Sequence, residues 1–294
     1  MPPASSRTTA SRSWSPGPEL QPLVDAAIAL ARRVPSGRIA LARLEEVFGT
    51  ENTHEPIDAT TVGRVAKRFD RFNAEPIAVR AAAQTHRAAV DGTPVAVRIR
   101  RPGLDRMVRS DLVLLDALAL PLATALPEVD AGALLRSVRE QVLDDLDFEH
   151  EASMHRRVTR VLRDVDGLVV PAVHADRCAE DLFVADLLPA GERRPTDLAR
   201  VLVDAHRTAA RGGLLLLDPR PGHVLALPDG RLGLLGVGQA RPVDAERAAA
   251  AFDGEITLDA AVRILRKRPD DVWIARSVGQ LAVTIEASSA AAPR

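Results

Sequence analysis

The stretch LLDPRPGHVLALPDGRLGLLGVGQA, residues 216–240, constrains the fold more than any other part of the sequence. Asp218 lies in a proline-bracketed loop directly before an apolar strand, and a Pro-Asp-Gly turn then leads into a second apolar strand. Asp229 is a turn residue of this predicted hairpin. The Gly236-Val-Gly segment that follows suits either a simple turn or a phosphate cradle built from backbone. The stretch therefore predicts a hairpin preceded by an acid that suits a base or a metal ligand.

A second hairpin is predicted nearer the N-terminus. The segments THRAAV and PVAVRIR are joined by Asp91-Gly92, a dipeptide typical of two-residue turns between antiparallel strands. Apolar residues alternate along the second segment, and Arg98 lies on the opposite face from them. Helical periodicity dominates the chain after this hairpin. Strands first and helices later predict an α+β fold with two lobes.

Four carboxylates share one face of the helix predicted to begin near Asp130. At about 100° per residue, Glu140, Asp144, Asp147 and Glu151 fall within about 60° of one another. Carboxylates at this spacing repel one another unless a cation offsets them. The face is therefore either solvated, or directed at a metal ion or at a cation such as the strand arginine.

Composition excludes several classes of protein. The net charge of -1 over 294 residues gives no sign of the basic face that a nucleic-acid partner needs. The single cysteine excludes an internal disulfide. No segment reaches the ~20 apolar residues that span a bilayer. We therefore predict a cytoplasmic protein without a transmembrane segment, for which peripheral attachment to a membrane stays open.

The motifs occur in the order found in the UbiB/AarF-type atypical kinase-like family, which is associated with ubiquinone and other isoprenoid-lipid pathways. The segment EPIAVRAAAQTHRAAVDGTPVAVRIRRPGL resembles the alanine-rich loop and following strand of that family, and LDDLDFEHEAS resembles its Glu-x-Asp signature. GLVVPAV and DLFVADLLPAG resemble its Val-Pro strand and hinge. LLDPRPGHVLALPDGRLGLLGVG is similar to His-Ala-Asp-Pro-His-Pro-Gly-Asn followed by Asp-Phe-Gly. The resemblance covers roughly residues 66–245 and implies a two-lobed protein-kinase-like fold.

The resemblance also implies a role for individual residues. Arg98 stands where the family has its ATP-binding lysine, and Glu151 would be its ion-pair partner. Asp218 would be the catalytic-loop aspartate, a vestigial base or metal ligand, and Asp145 and Asp147 would be the signature acids. The nucleotide-binding set is Ala81, Ala82, Ala83, Gln84, Arg98, Glu151, Val184, Asp186 and Leu187.

The departures from the family lie at its metal ligands. The metal-binding asparagine is His223 here, and the aspartate of Asp-Phe-Gly is Gly236. Mg²⁺ needs oxygen donors, and phosphoryl transfer depends on the charge that the metal neutralises. We therefore predict a pseudokinase that binds ATP or ADP weakly or not at all, without Mg²⁺. It would act by binding a protein or lipid-pathway partner, as a regulator or scaffold in isoprenoid-lipid or quinone-related metabolism.

Two enzymatic alternatives stay open. One is an active ATPase or kinase in which His223 and Asp218 recruit a metal together with Asp144 and Asp147. The other is a small-molecule phosphotransferase of the aminoglycoside type, against which the Glu-x-Asp helix and the Val-Pro strand argue.

The sequence also predicts a domain organisation. It consists of a disordered leader (1–22), a helical N-terminal extension (23–64), a kinase-like N-lobe with inserted helices (65–188) and a shortened, mostly helical C-lobe (189–294). No counterpart of the lysine- and glutamine-bearing N-terminal helix of the family is expected before residue 65.

Overall fold

The structure is a computed structural model that describes residues 55–290, except residues 81, 105–107, 109–111, 113–118, 120–122, 124–129, 145, 192–196, 218 and 220. Three predicted site residues, Ala81, Asp145 and Asp218, lie outside the described residues. So do the predicted leader and most of the predicted N-terminal extension.

A four-stranded antiparallel sheet with strand order β1–β2–β3–β5 forms the N-terminal lobe. Its strands are β1 (Arg71–Val79), β2 (Ala83–Val90), β3 (Thr93–Arg100) and β5 (Leu182–Asp186), while β4 (Leu168–Val169) belongs to a second sheet. Asp91 and Gly92 join β2 to β3 with φ values of 48° and 78°, the left-handed pair that a type I′ turn needs. The predicted hairpin is confirmed, and it places Arg98 on the face opposite the buried Val97.

The first strand of this sheet is not predicted by the sequence pattern. Most residues of β1 are exposed, and its register to β2 shifts on both sides of Pro76. A proline donates no backbone hydrogen bond, which a sheet tolerates at an edge. Because β1 is an irregular edge strand, it lacks the apolar alternation of a half-buried strand. It pairs with β2 on one side, and helix α1 (Ala59–Ala66) precedes it.

The single long helix that the carboxylate spacing predicts is two helices, α2 (Ala131–Asp144) and α3 (Phe148–Leu162). Asp147 is the N-cap of α3, and its Oδ1 accepts a hydrogen bond from the backbone N–H of His150 at 2.9 Å. A carboxylate at this position satisfies a free backbone donor and interacts favourably with the helix dipole. Capping thus overrides the periodicity, and the prediction of one common carboxylate face is wrong.

The carboxylates on α2 contact an arginine of the C-terminal lobe. Glu140 and Asp144 accept hydrogen bonds from Arg241 at 3.0 and 2.9 Å. The guanidinium carbon of Arg241 lies 4.0 Å from the ring centroid of Trp273, a cation–π contact. These acids therefore tie α2 to the C-terminal lobe, and Glu151 alone of the four points at β3.

The C-terminal lobe is mostly helical, as predicted. Helix α4 (Leu198–Arg211) ends at a glycine pair in which Gly213 has a φ of 70°, the left-handed conformation that favours glycine after a helix. The short strands are β6 (Leu214–Leu215), β7 (Val224–Ala226), β8 (Leu232–Leu234) and β9 (Arg241–Pro242). The remaining helices are α5 (Ala245–Phe252), α6 (Leu258–Lys267) and α7 (Val272–Ala290). Across the described part of the chain, every helix falls short of the length and apolarity that crossing a membrane requires.

A buried histidine makes the C-terminal lobe sensitive to acid. His206 of α4 is 1% exposed, and burial lowers its pKa from 6.5 to about 4, against a smaller opposing effect of the hydrogen bond that its Nδ1 makes with the carbonyl of Leu202 at 2.8 Å. The folded chain therefore binds fewer protons at this site than the unfolded chain between these two pH values. Stability contributed by neutral His206 is complete above pH 6.5 and is lost as the pH falls toward 4.

We expect the free energy of unfolding to fall by about 2 kcal/mol between pH 7 and pH 5 through His206 alone. Urea denaturation at both pH values measures the loss. The variant His206→Leu provides the control, because it removes the titrating ring but keeps His155, whose pKa burial also lowers. An equal pH dependence in the two proteins would show that His206 is not the group responsible.

Candidate functional site

A cleft of about 830 Å³ lies between the four-stranded sheet and the β7–β8 hairpin. Strands β1, β2, β3 and β5 supply the wall on the N-terminal lobe, α3 supplies the back, and the hairpin supplies the opposite wall. This volume is typical of sites for small molecules. The hairpin turns at Pro228-Asp229-Gly230 as predicted, and Oδ1 of Asp229 accepts a hydrogen bond from the backbone N–H of Arg231 at 3.0 Å.

Arg98 extends from β3 into the cleft and pairs with Glu151 of α3 through its Nη2 and the Oε2 of the glutamate. The glutamate side chain is 3% exposed and the arginine side chain 26%. The guanidinium carbon also lies 4.3 Å from the ring centroid of Phe148 and 4.9 Å from that of Phe183. The structure thus brings together the predicted pair, and two aromatic rings hold the arginine in place.

Four buried polar atoms of residues that line the cleft have no hydrogen-bond partner among the described residues. They are Nε of Arg98, Oε1 of Glu151, Nδ1 of His155 and Oε1 of Gln239. Buried polar atoms in proteins are nearly always satisfied, but a ligand reaches these four only if their side chains move. We call this part of the cleft, formed by Arg98, Glu151 and Gln239, the inner end.

The two positions that depart from the family's metal ligands are in contact. Gly236 has a φ of 68°, and a Cβ on it would meet Nδ1 of His223 and lie 2.6 Å from Cε1 of the same ring. The imidazole therefore fills the volume into which any side chain at residue 236 would extend. The imidazole at residue 223 and the glycine at residue 236 are therefore complementary in packing.

Among the described residues no group of three or more His, Cys, Asp or Glu side chains is placed to hold a metal ion. Asp144 binds Arg241 and Asp147 caps α3, so neither contributes a ligand here. Asp218 lies outside the described residues.

The family model described as the ABC1 atypical kinase-like domain matches residues 45–252. The chain belongs to this family. Its curated relatives include the AarF domain-containing protein kinase 1 of Mus musculus, 24% identical over 170 residues that cover 53% of this chain and 32% of the mouse protein. The probable protein kinase UbiB of Aeromonas hydrophila is 28% identical over 146 residues, which cover 47% of this chain and 26% of that protein. The chain thus matches only a third or less of the length of these two relatives.

A solved structure supports the kinase-like fold of this ABC1 domain. The complex of Rv3197 with erythromycin from Mycobacterium tuberculosis matches with a TM-score of 0.53 and 24% identity, covering 88% of this chain and 66% of that chain. The resemblance to the UbiB/AarF family and the two-lobed α+β fold are therefore confirmed.

Some predicted nucleotide contacts of the ABC1 domain line the cleft and others do not. Ala82, Ala83, Asp186 and Leu187 line it, together with the Arg98–Glu151 pair already described. In contrast, the Gln84 side chain is 1% exposed and lies on the far face of the sheet.

Gln84 and Val184, which do not line the cleft, contact other parts of the N-terminal lobe. Oε1 of Gln84 accepts a hydrogen bond from the backbone N–H of Ile57 at 2.7 Å, and its amide contacts His86. Val184 is fully buried in the core beneath α1. The pleat of the strand turns both side chains away from the cleft, so for these two the predicted placement is wrong.

Two features of the inner end of this ABC1 domain are not predicted by the sequence. One is Gln239, whose only signal is a polar residue directly after the glycine-rich turn. The other is Gly238, because a Cβ there would meet Cγ of Glu151 and lie 2.6 Å from the backbone carbonyl oxygen of that residue. Glycine at 238 lets this turn pack against the helix that carries the ion-paired glutamate.

Proposed function

We propose that this chain is a pseudokinase of the ABC1 family. Its cleft binds an adenine nucleotide weakly and without magnesium, and it acts by binding a protein or lipid-pathway partner as a regulator or scaffold in isoprenoid-lipid or quinone-related metabolism. The observation that carries the proposal is the contact between His223 and Gly236. With the side chains as placed, aspartate at residue 236 would contact the imidazole, so a magnesium ligand there requires the half-buried ring of His223 to turn aside.

The charge at the inner end supports weak binding. Glu151 already neutralises the positive charge of Arg98 at this end. Without a metal ion, nucleotide phosphates would meet this neutral pair and would gain little, because the remaining Nε donor of Arg98 is buried. The hinge side of the cleft is more favourable, because Ala96, Ala185 and Leu187 offer an apolar surface to a base.

An active ATPase or kinase with a rewired metal site is the alternative function. It requires His223 and Asp218 to hold a metal ion without Asp144 and Asp147, both of which are engaged elsewhere. This set supplies oxygen only from Asp218, whereas Mg²⁺ is normally held by one or two carboxylates together with substrate phosphates and water. The alternative therefore depends on metal-dependent turnover, which can be measured.

Thermal unfolding with ATP or ADP, each with Mg²⁺ or with EDTA, tests the proposal. Ligand at about 100 times its dissociation constant stabilises the fold by about 2.7 kcal/mol, or several degrees in Tm. We expect a rise that needs millimolar nucleotide and is the same with and without the metal, together with no ATP hydrolysis. A rise that requires Mg²⁺, or hydrolysis that Asp218→Ala abolishes, would instead establish the enzyme.

A further inference from the structure

A second space of about 420 Å³ continues the cleft along the sheet. Arg87 and Pro94 line both spaces, and Arg71, Phe72 and other residues of β1 and β2 complete the second one. Pro94 is four residues from Arg98 on β3, so the two Cα atoms are about 13 Å apart. We call the shared boundary at Arg87 and Pro94, together with the adjoining Arg71, the outer end of the cleft.

Two arginines at the outer end have no partner among the described residues. Neither Arg71 nor Arg87 makes a hydrogen bond or ion pair within the described part of the chain, and both are exposed. Arg71 opposes Ala89 in the β1–β2 register, two residues along β2 from Arg87. They are diagonal neighbours on one face, with Cα atoms about 7–8 Å apart, where like charges repel and a bound anion relieves the repulsion.

Neither carboxylate that lines the two spaces forms an ion pair with these two arginines. Glu151 at the inner end binds Arg98. Asp186 on the hinge accepts a hydrogen bond from Nε2 of His174 at 2.8 Å. The residues that line the outer space include no acid. The uncompensated charge of the lining is therefore positive at the outer end, whereas the inner end holds a neutral pair.

We propose that Arg87, assisted by Arg71, binds a second anionic group on the cleft ligand, so that the cleft prefers a nucleoside carrying phosphate at both ends of its ribose. The inference rests on the proposed nucleotide binding. A 5′-phosphate at the inner end directs the ribose and base toward the outer end. Guanidinium groups form forked, charge-assisted hydrogen bonds with phosphate, so a 2′- or 3′-phosphate is the group that Arg87 would recognise.

Calorimetric titration without Mg²⁺ tests this preference on the full chain. The probes are AMP, ADP, adenosine 3′,5′-bisphosphate and adenosine 2′,5′-bisphosphate. ADP is the matched control, because it has as many phosphates as either bisphosphate but carries both at one end. We expect one of the bisphosphates to bind about five- to tenfold more tightly than AMP and more tightly than ADP, since two exposed guanidinium groups contribute modestly in water. This gain falls at 0.5 M NaCl, where screening is strong.

Charge-removing variants assign the effect. Arg87→Gln should abolish the gain from the second phosphate and leave the affinity for AMP within twofold, and Arg71→Gln should reduce the gain. Arg64→Gln removes an exposed arginine on α1, away from the cleft, and should change nothing. If ADP binds but neither bisphosphate gains, or if Arg87→Gln keeps the gain, the second anion site is wrong while the nucleotide proposal stands. If none of the four binds, both are wrong.

Discussion

Replacing Gly236 with aspartate, the residue that the family carries here, is expected to destabilise the fold and not to restore magnesium binding. A side chain at a φ of 68° adopts the left-handed conformation, which costs about 1–2 kcal/mol and least for Asp and Asn. Its Cβ would also lie 2.6 Å from Cε1 of His223, so the half-buried imidazole has to turn aside, which costs less than overpacking a core. We expect a loss of about 2 kcal/mol in urea denaturation.

The double variant His223→Asn with Gly236→Asp separates the collision from the backbone strain. Asparagine is shorter than histidine, so the double variant should recover the part of the loss that comes from the collision. It also supplies both oxygen ligands of the family, and we expect nucleotide stabilisation to depend on Mg²⁺ in this variant alone. The variant His223→Asn by itself is the control. Native stability and magnesium binding in the single variant Gly236→Asp would show that the ring moves aside freely and that the two positions are not coupled.

The turns and hairpins of this chain follow from local chemistry. Asp91-Gly92 and Pro228-Asp229-Gly230 specify tight turns because their residues adopt the required backbone angles easily. The glycine pair at the end of α4 works in the same way. Such signals span two to four residues and need no tertiary partner, so the order of elements around the cleft could be predicted from the sequence.

The break between α2 and α3 is not predicted by the local sequence pattern. The charge periodicity runs through the break, and Asp147 reads equally well as a member of a stripe or as an N-cap. The N-cap at Asp147 breaks the helix, and a contact far along the chain accounts for two of the other carboxylates, since Arg241 binds Glu140 and Asp144. A partner about a hundred residues away has no local signature.

The proximity of His223 and Gly236 can be predicted from the sequence. A hairpin centred on Pro228-Asp229-Gly230 sets the register of its strands, and the backbone N–H of Leu235 donates to the carbonyl of His223 at 2.7 Å. Counting outward from the turn therefore places residue 223 opposite residue 235 and one residue from the level of residue 236. The direction of the imidazole could not be read in this way, because it depends on side-chain packing.

The second large effect is expected at Arg98. The variant Arg98→Met removes the cation but keeps a long apolar side chain near Phe148 and Phe183. It leaves the carboxylate of Glu151, 3% exposed, without its partner. Breaking a buried ion pair from one side costs about 3–5 kcal/mol, and we expect about 3 kcal/mol because the arginine is 26% exposed. Urea denaturation measures the loss.

The double variant Arg98→Met with Glu151→Leu should recover most of that loss, because no buried charge is left unpaired. The control is Glu180→Ala, which breaks the ion pair that Arg100 of the same strand makes at 3.0 Å with a side chain 70% exposed, and which should cost less than about 1 kcal/mol. If the effects of the two substitutions on unfolding are strongly coupled without any nucleotide, the ion pair is structural. Arg98, at the position where the resemblance implies an ATP-binding lysine, would then hold α3 against the sheet. A small loss in Arg98→Met would contradict this role and leave the arginine free to bind phosphate as the lysine of the family does.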